Sequence, residues 1–395
     1  MKEPIFITGA GIICSIGQSK QEVLDSLLNK ESGISVAKYL QTTHTEFPVG
    51  EVHLSNEDMS NRLHIPSHIP VNRTTLLGIM AAKEAIEDAQ IDQEMIRKTA
   101  FISGTTVGGM DKVEEYYKDF LHNDSRNKYI ATHDCGSCSE MIADYFGDFG
   151  IVTTTSTACS SAANAIILAA NMIQSGMVDI AIAGGSECLS KLHLNGFKSL
   201  MILDTEQCRP FDRTRVGLNL GEGAAYVVLE SAKSVEMRKK KPLCKLTGYG
   251  NACDAFHQTA SSENGEGAFR AMKIAIDNAG LLPSEIDYIN AHGTSTINND
   301  YSESNAIKRL FHSCPPISST KSFTGHTTSA SGSIELVICI LAMKNNFIPI
   351  NLNWKQPDDD AIIPVHNKHV VSMKHILCNS FGFGGNQSTL IISRL

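Results

Sequence analysis

The chain has 395 residues, of which 42% are hydrophobic and 19% are charged, and its 34 basic and 42 acidic side chains give a net charge of −8. This composition predicts a large globular protein and excludes a disordered chain. The acidic balance argues against general nucleic-acid binding, which needs a basic face. Eleven cysteines without regular spacing indicate reduced thiols in a cytoplasmic protein.

The first apolar stretch, residues 4–16, predicts a strand and a turn. Two glycines interrupt it, and Glu3 beside Lys2 removes the positive flank that a signal peptide needs. The longest apolar run, residues 336–343, has eight residues, whereas a membrane span needs about 20. The sequence therefore predicts no membrane segment.

Three pairs of similar segments, in the same order, indicate an internal duplication rather than chance similarity between common strand–helix units. The pairs are 4–11 with 242–250, 82–104 with 272–293, and the apolar helices 160–174 with 331–344. Strands that alternate with helices predict an α/β fold with a largely parallel sheet, and the two apolar helices are expected to be buried on all sides. We divide the chain into halves 1–241 and 242–395, next to a basic run at 238–241 that we interpret as a solvated linker.

Two short motifs are too weak to indicate a cofactor or a metal. Gly9 and Gly11 follow a strand, but Cys14 occupies the position where a dinucleotide-binding turn needs a third small residue. Cys135 and Cys138 have no second pair at metal-ligand spacing. We therefore predict neither a bound dinucleotide nor a metal site.

Cys159 is the most informative single residue. It follows a β-branched strand and directly precedes the small residues 160–163 at the start of the first apolar helix. The unpaired N–H groups and the dipole of a helix N-terminus favour a thiolate and can hold an oxyanion, and small neighbours leave room for a substrate. A buried structural cysteine is the alternative. The strand-to-helix position favours a nucleophile.

A nucleophilic thiol needs bases and proton donors from elsewhere in the fold. His292 follows a predicted strand, and Lys321 and His326 lie in the loop before the second apolar helix. The carboxyl ends of strands are the edge where open α/β sheets build sites. If a pseudo-two-fold axis relates the halves, these loops converge on Cys159. Either histidine alone would more often be structural, but two of them opposite Cys159 favour catalysis.

The C-terminal segment 379–386, NSFGFGGN, lies between two apolar strands. Its three glycines could form only a hairpin turn. They would also let backbone N–H groups approach a substrate closely, while Phe383 covers it.

Together these motifs resemble the beta-ketoacyl-acyl-carrier-protein synthases, the elongating condensing enzymes of the thiolase superfamily. The similarity extends over nearly the whole chain and is carried by TACSSA around Cys159, RPFD at 209–212, GEGAA at 221–225, ENGEGA at 263–268, NAHGTST ending at Thr296, STKSFTGH ending at His326 and NSFGFGG at 379–385. The resemblance implies a duplicated five-layer α/β/α/β/α fold. A thiolase would need a second reactive cysteine where this chain has GFGG.

The resemblance implies a two-stage Claisen condensation. Cys159 would take an acyl group from a carrier-protein thioester, and the backbone amides of Cys159 and Phe383 would hold the oxyanion. A malonyl-carrier thioester would then lose CO2, and His292 and His326 would stabilise the resulting enolate. No cofactor is implied beyond the phosphopantetheine that carries the acyl groups.

Other residues would support these steps. The resemblance implies that Lys321 pairs with Glu335 and tunes the charge of the site, and that Thr294 and Thr296 hydrogen-bond the phosphopantetheine arm. It also implies that Phe383 gates the acyl pocket, and that Val107 lines its far end.

Departures from the family pattern leave acyl chain length open. Residues 216–219 replace an Asp-Gly-Phe segment, Asn386 follows GFGG where Thr is usual, and the stretch 122–150 is short for a region that helps to form the dimer interface and acyl pocket. The pathway, fatty-acid elongation or a specialised product, also stays open.

The resemblance implies an acidic acyl-carrier protein as partner and predicts a local basic docking patch. The candidate residues are Arg62, Arg73, Arg213 and Arg215. We expect a homodimer, with no nucleic-acid or membrane partner. A polyene or polyketide ketosynthase subunit that pairs with a homologous non-catalytic chain-length partner is the alternative. A catalytically silent carrier-binding scaffold is a third hypothesis, against which the intact Cys–His–His set argues.

Overall fold

A computed structural model describes residues 3–395 of the chain. The strands are β1 (Ile5–Cys14), β2 (Ile34–Ser35), β3 (Val49–Gly50), β4 (Thr99–Gly104), β5 (Ile151–Thr155), β6 (Ile180–Glu187), β7 (Gly223–Ser231), β8 (Cys244–Cys253), β9 (Tyr288–Asn290), β10 (Ile317–Ser318), β11 (Phe347–Ile348), β12 (His369–Val370), β13 (His375–Phe381) and β14 (Asn386–Ser393).

The α-helices of the same described part are α1 (Lys20–Asn29), α2 (Asn56–Arg62), α3 (Arg73–Ala89), α4 (Gln93–Ile96), α5 (Met110–Tyr116), α6 (Asn127–Ile130), α7 (Cys135–Phe146), α8 (Ser161–Gln174), α9 (Lys191–Ser199), α10 (Ala232–Arg238), α11 (Glu266–Ala279), α12 (Ile297–Leu310), α13 (Lys321–Thr324) and α14 (Ser331–Asn345). Within residues 3–395, no helix has the length and apolar character needed to cross a bilayer.

Ten strands form one continuous sheet in the order β10-β9-β13-β14-β8-β1-β7-β6-β4-β5. From the central β8–β1 pair outward, both halves place their strands in the same order, and corresponding pairs run in the same relative directions. This repetition confirms the duplicated α/β fold. The sheet is mixed rather than largely parallel, in part because only the short turn 382–385 joins β13 to β14, and a turn that short joins antiparallel strands.

The helices complete five layers. Helices α8 and α14 contact strands of both halves and form the middle layer, whereas α3 packs on the outer face of the first half and α11 on that of the second. All residues of α14 from Ser331 to Met343 are buried, which confirms the prediction for this helix. Helix α8 is less enclosed than predicted, since Leu168 is 37% exposed.

Residues 8–11 and 247–250 share a Thr-Gly-x-Gly motif, which allows close contact between a strand and its outer helix. A Cβ atom at Gly11 of β1 would lie 2.1 Å from the carbonyl oxygen of Ala81 in α3. A Cβ atom at Gly250 of β8 would lie 2.3 Å from the carbonyl oxygen of Ala271 in α11. Glycine therefore lets each helix pack directly on the first strand of its half, in the same way in both halves.

The basic run 238–241 is solvated only in part, since Lys239 and Lys241 are exposed whereas Arg238 and Lys240 are bound to the protein. The Arg238 guanidinium pairs with the buried Glu230 and donates to the carbonyl oxygens of Ala89 at 2.6 Å and Gln90 at 2.9 Å. The ammonium of Lys240 donates to the carbonyl of Asp88 at 2.6 Å. These cations satisfy carbonyl groups that the end of α3 leaves unpaired.

Two of the four arginines predicted to dock a carrier protein are unavailable, so the prediction is wrong for them. Arg73 is buried, and its Nη2 lies 2.5 Å from Oε1 of the buried Glu222. Arg215 is buried as well, with Nη1 2.5 Å from Asp358 and Nε 3.6 Å from Asp300. A buried guanidinium needs a carboxylate partner, so both side chains hold the fold together. Arg62 and Arg213 are exposed.

Replacing Arg73 with Met is expected to lower the free energy of unfolding by about 3–5 kcal/mol, because the Glu222 carboxylate would stay buried without its cation. Urea denaturation followed by circular dichroism measures the change. The matched double variant, Arg73→Met with Glu222→Gln, removes the buried charge as well and is expected to recover part of the loss. A single-variant loss below about 1 kcal/mol, as for a surface pair, would contradict this expectation.

Candidate active site

Cys159 lies in a tight turn between β5 and α8 and is buried. The residue before it, Ala158, has φ = 52°, a left-handed conformation that is strained for a residue with a Cβ atom. Ser161 holds this turn: its Oγ donates to the carbonyl of Ala158 at 2.6 Å and accepts from the N–H of Thr157 at 2.9 Å. The strained turn fixes the Cys159 side chain at the N-terminus of the central helix α8.

The resting Cys159 side chain is a neutral thiol. Burial raises the pKa of this thiol to about 12, and the charge of Lys321 and the backbone N–H groups of Phe383 and Cys159 lower it by less. The sequence predicts that the helix N-terminus favours the thiolate, and this prediction is wrong because the loss of water outweighs the helix end. The thiol therefore needs a base.

His326 is placed to act as that base. Its Nε2 lies 3.1 Å from Sγ of Cys159, and its Nδ1 lies 3.0 Å from Oγ of Ser331, the first residue of α14. Burial and the charge of Lys321 hold the pKa of His326 well below its usual range, so the ring is neutral at ordinary pH. A neutral ring with Nδ1–H bonded to Ser331 has a free lone pair at Nε2 for the thiol proton.

Lys321 fixes the second histidine. Its Nζ lies 3.3 Å from Nδ1 and 2.6 Å from the carbonyl oxygen of His292, and 2.5 Å from Oε1 of Glu335. Because an ammonium group only donates, Nδ1 of His292 must accept, which leaves the ring proton on Nε2. The rings of His292 and His326 stand nearly perpendicular, with centroids 5.3 Å apart.

Burial and the charge of Lys321 shift the pKa of His292 in the same direction and the pKa of Glu335 in opposite directions. Burial lowers the pKa of His292 well below its usual range, and the Lys321 cation lowers it further. Burial raises the pKa of Glu335 to about 7, although the same cation opposes this rise. Lys321 therefore places one cation beside two neutral imidazoles, and the Glu335 carboxyl group is the partner of that cation.

Glu303 on α12 anchors the His292 loop and was missed at the sequence level. Its Oε1 accepts from the N–H of His292 and its Oε2 from the N–H of Gly293, both at 2.8 Å. Asn379, the first residue of NSFGFGG, donates to the same carboxylate at 3.0 Å. The surrounding sequence, YSESN, carries no signal of this role, because His292 and Gly293 lie outside helix α12 and Asn379 is 76 residues away.

The GFGG turn packs against the Cys159 turn. Ser380 Oγ donates to the carbonyl of Cys159 at 2.9 Å, and Oδ1 of Asn386 accepts from Oγ of Ser160 and Nδ2 of Asn164, both at 2.8 Å. The departure from the family pattern at Asn386 thus ties the two turns together. The backbone N–H groups of Phe383 and Cys159 both lower the pKa of the Cys159 thiol, and their role as an oxyanion hole stays a prediction.

A cavity of about 310 Å³ opens at Cys159. Its walls include Cys159, His292, His326, Thr294 and Thr296, and the hydroxyl oxygens of the two threonines are 2.8 Å apart. Phe383 also lines it, with its ring stacked 5.8 Å from that of Phe197, which the sequence did not indicate. The predicted residues Cys159, His292, His326, Lys321, Thr294, Thr296, Phe383 and Glu335 thus lie together at one site.

Val107 lies apart from this cavity. It is buried in the loop after β4, where its N–H donates to Oε1 of the buried Glu187 at 3.2 Å. Glu187 also accepts from the hydroxyl groups of Thr105 and Thr106 and so holds the whole loop. The role of Val107 in an acyl pocket stays a prediction. Among residues 3–395, no group of three His, Cys, Asp or Glu side chains is arranged to hold a metal ion.

Two similar solved structures are named as a ketosynthase with a chain length factor. The ishigamide ketosynthase/chain length factor is 29% identical, with a TM-score of 0.93 over 100% of both chains. A ketosynthase in complex with its chain length factor from Xenorhabdus doucetiae is 30% identical, with a TM-score of 0.88 over 100% of this chain and 98% of the other. The fold and the cysteine–histidine site thus define a thiolase-like condensing acyltransferase.

Sequence comparison gives the family. The family "Beta-ketoacyl synthase, N-terminal domain" matches residues 2–234, and "Beta-ketoacyl synthase, C-terminal domain" matches residues 243–355. A 3-oxoacyl-[acyl-carrier-protein] synthase 2 of Staphylococcus aureus is 31% identical, and the alignment covers 99% of this chain and 98% of the relative. The chain belongs to the beta-ketoacyl synthase family.

Replacing Lys321 with Met is expected to shift the acid limb of Cys159 reactivity to higher pH. The cation lowers the pKa of His326, so its removal raises that pKa, and the base becomes protonated, and therefore inactive, at a higher pH. We expect a shift of about one pH unit or more, measured as the rate of Cys159 alkylation by iodoacetamide between pH 5 and 8.

Two variants control this measurement. Lys321→Arg keeps the charge and is expected to keep the wild-type acid limb. Lys321→Met combined with Glu335→Gln removes the unpaired carboxyl and is expected to keep the upward shift. An acid limb that stays in place in both Met variants would show that Lys321 does not set the protonation of His326.

Proposed function

We propose that this chain catalyses the decarboxylative condensation of a Cys159-bound acyl group with malonyl-acyl-carrier protein, giving 3-oxoacyl-acyl-carrier protein and CO2. The observation that carries the proposal is the contact of 3.1 Å between Cys159 Sγ and His326 Nε2 in a cavity that also holds the His292 ring. The reaction needs no cofactor beyond the phosphopantetheine of the carrier protein.

Acyl transfer to the enzyme comes first. Nε2 of His326 removes the thiol proton, and Sγ of Cys159 attacks the thioester carbonyl carbon. The N–H groups of Cys159 and Phe383 stabilise the negative oxygen of the tetrahedral intermediate. The intermediate then collapses, the bond to the phosphopantetheine sulfur breaks, and His326 returns the proton to that sulfur. The products are acyl-Cys159 and the free carrier thiol.

Condensation follows in the same cavity. The malonyl thioester loses CO2, and the electron pair of the broken C–C bond moves to the thioester oxygen as an enolate. Nε2–H of His292 donates to this oxygen. His326 also donates from Nε2 when its Nδ1 accepts from the Ser331 hydroxyl. That hydroxyl can donate to Nδ1 or accept from it, so it fits either tautomer of His326. The enolate carbon attacks the acyl-Cys159 carbonyl, the C–S bond breaks, and the cysteine thiolate takes up one proton from solvent, which the overall reaction consumes.

The remaining predicted roles complete this proposal. The paired hydroxyls of Thr294 and Thr296 line the cavity and would hydrogen-bond the phosphopantetheine arm. Phe383 would gate an acyl pocket that ends near Val107. We propose that the duplicated halves are 1–241, with the nucleophile, and 242–395, with both histidines; the family matches to 2–234 and 243–355 support this division.

The nucleophile is tested by intact-protein mass spectrometry after incubation with a medium-chain acyl-carrier thioester. The wild type is expected to gain one acyl group, and Cys159→Ala is expected to gain none. Cys253→Ala, which removes an exposed thiol, serves as the matched control and is expected to keep the gain. A gain in Cys159→Ala, or none in the wild type at any chain length, would overturn the proposal.

The two steps separate in the histidine variants. His292→Ala is expected to retain acylation of Cys159 but to lose about 10²–10³-fold in the rate of malonyl decarboxylation, because one of the two enolate donors is absent. His326→Ala is expected to slow both steps, because it also removes the base. Acyl-enzyme mass and CO2 release measure the two steps. Equal loss of both steps in His292→Ala would contradict the division of roles.

We also propose that the chain works as a dimer. Within residues 3–395, strand β5 is an edge of the ten-stranded sheet and pairs only with β4, and 37% of Val152 is exposed. An exposed edge strand is a template for pairing with a second chain. Two copies of this chain are the first candidate for the dimer.

The eleven free thiols of the chain support a reducing compartment, the cytoplasm.

A second candidate pairs the chain with a homologous non-catalytic subunit in a polyene or polyketide pathway. Two similar structures, with TM-scores of 0.93 and 0.88, are named as a ketosynthase with a chain length factor. Light scattering and a condensation assay of the purified chain distinguish the candidates. An active homodimer supports the first candidate. A chain that condenses only after co-expression with a non-catalytic homologue supports the second.

A further inference from the structure

Helix α9, which carries Phe197, has little apolar contact of its own with the rest of the protein. Of its nine residues, all within the described part of the chain, only Leu194 is buried. The Phe197 ring nevertheless stacks on that of Phe383, with centroids 5.8 Å and planes 23° apart. Most of the stability of a helix in a protein comes from the packing of an apolar face, so this helix needs another constraint to keep the Phe197 ring in place.

That constraint lies at the N-terminus of α9. The first N–H groups of a helix have no partner within the helix itself. The carboxylate of Glu114, on α5, accepts two of them: it lies 2.9 Å from the N of Lys191 and 2.5 Å from the N of Leu192. Oγ of Ser190 accepts the next one, from His193, at 3.1 Å. One carboxylate of another helix thus binds the start of α9 with both of its oxygens, and its negative charge complements the positive end of the helix dipole.

Helix α9 connects this anchor to the Cys159 site. Phe197 lies within two helical turns of Lys191, and Phe197 and Phe383 both line the Cys159 cavity. The turn that carries Phe383 is not tightly packed at Gly384, where an added Cβ atom would meet no atom of the described residues within 4 Å. The stack on Phe197 is therefore a restraint on the Phe383 ring that the turn itself does not supply.

We propose that Glu114 is a positioning residue for acyl transfer: by anchoring α9 it keeps Phe197 in place, and so sets how firmly the Phe383 ring is held over the acyl pocket. The inference rests on the proposed function, in which Phe383 gates this pocket. Glu114 lines a different cavity from Phe197, so it acts through α9 and not by contact with the substrate. Its effect depends on the length of the acyl group, because a long chain must displace Phe383 whereas an acetyl group need not.

The test compares the acylation of Cys159 by octanoyl-pantetheine and acetyl-pantetheine, followed by intact-protein mass spectrometry. Glu114→Ala is expected to raise the ratio of the octanoyl to the acetyl rate constant by about fivefold, because the loss of a helix cap loosens α9 and makes Phe383 easier to displace. Glu114→Gln keeps one acceptor but loses the charge, and is expected to raise the ratio by less. An unchanged or lower ratio in Glu114→Ala would overturn the proposal.

A double-mutant cycle shows whether Glu114 acts through Phe197. Phe197→Leu removes the stacked ring and is expected to raise the same ratio. Phe197→Leu combined with Glu114→Ala is expected to match Phe197→Leu alone within about twofold, because the anchor then has no ring to position. A double variant whose effect is the product of the two single effects would show that the two residues act independently, and would also overturn the proposal.

Glu115→Ala is the matched control on the same helix. Glu115 is next to Glu114, but it pairs with Lys112 of its own helix at 3.0 Å, so the ratio is expected to stay within about twofold of the wild type. A rise as large as that in Glu114→Ala would assign the effect to α5 in general and not to the contact with α9. The rate of Cys159 alkylation by iodoacetamide is expected to stay at the wild-type value in Glu114→Ala, whereas a general loss of structure would change it.

Failure of the proposed function looks different. If Cys159 of the wild type gains no acyl group from either thioester, the proposed reaction fails and the positioning role fails with it. If the wild type reacts with both thioesters while Glu114→Ala keeps the wild-type ratio, only the positioning role is wrong. Acylation of Glu114→Ala by acetyl-pantetheine also shows that this variant is folded.

Discussion

The burial of Cys159, His292, His326 and Lys321 is the constraint on which the site depends. Burial raises the pKa of the thiol and lowers those of both imidazoles, so the resting pair is a neutral acid beside a neutral base. Such a pair exchanges its proton when an electrophilic carbon accepts the sulfur. Dehydration also strengthens each N–H donor aimed at the charge that then develops on oxygen.

One buried helix supports both histidines. Ser331 and Glu335 lie four residues apart on α14 and so share one face of it. Ser331 bonds to Nδ1 of His326, and Glu335 pairs with Lys321, which in turn bonds to Nδ1 of His292. Because α14 is enclosed over this length, neither support can move independently of the core. The tautomer of His292 and the orientation of the His326 ring are thus determined by core packing rather than by mobile surface groups.

Features that depend on local sequence were predictable, and features that depend on distant contacts were not. The duplication and the strand-to-helix turn at Cys159 follow from short motifs. The roles of Glu303 and Asn386 do not, because Glu303 binds Asn379, which is 76 residues away, and Asn386 binds Ser160 of the other half. The sign of the thiol pKa shift was also wrong, because a helix end is visible in the sequence whereas the depth of burial is a property of the whole fold.

The small residues after Cys159 have a structural reason beyond space for a substrate. A Cβ atom at Gly332, in the first turn of α14, would lie 2.9 Å from Cβ of Ala163 in the first turn of α8. The duplication therefore brings the first turns of its two central helices into direct contact, and only small side chains fit there. One helix start carries Cys159, and the other carries the Ser331 hydroxyl bound to His326. The contact of 3.1 Å between thiol and imidazole is thus a consequence of how the two halves pack on each other.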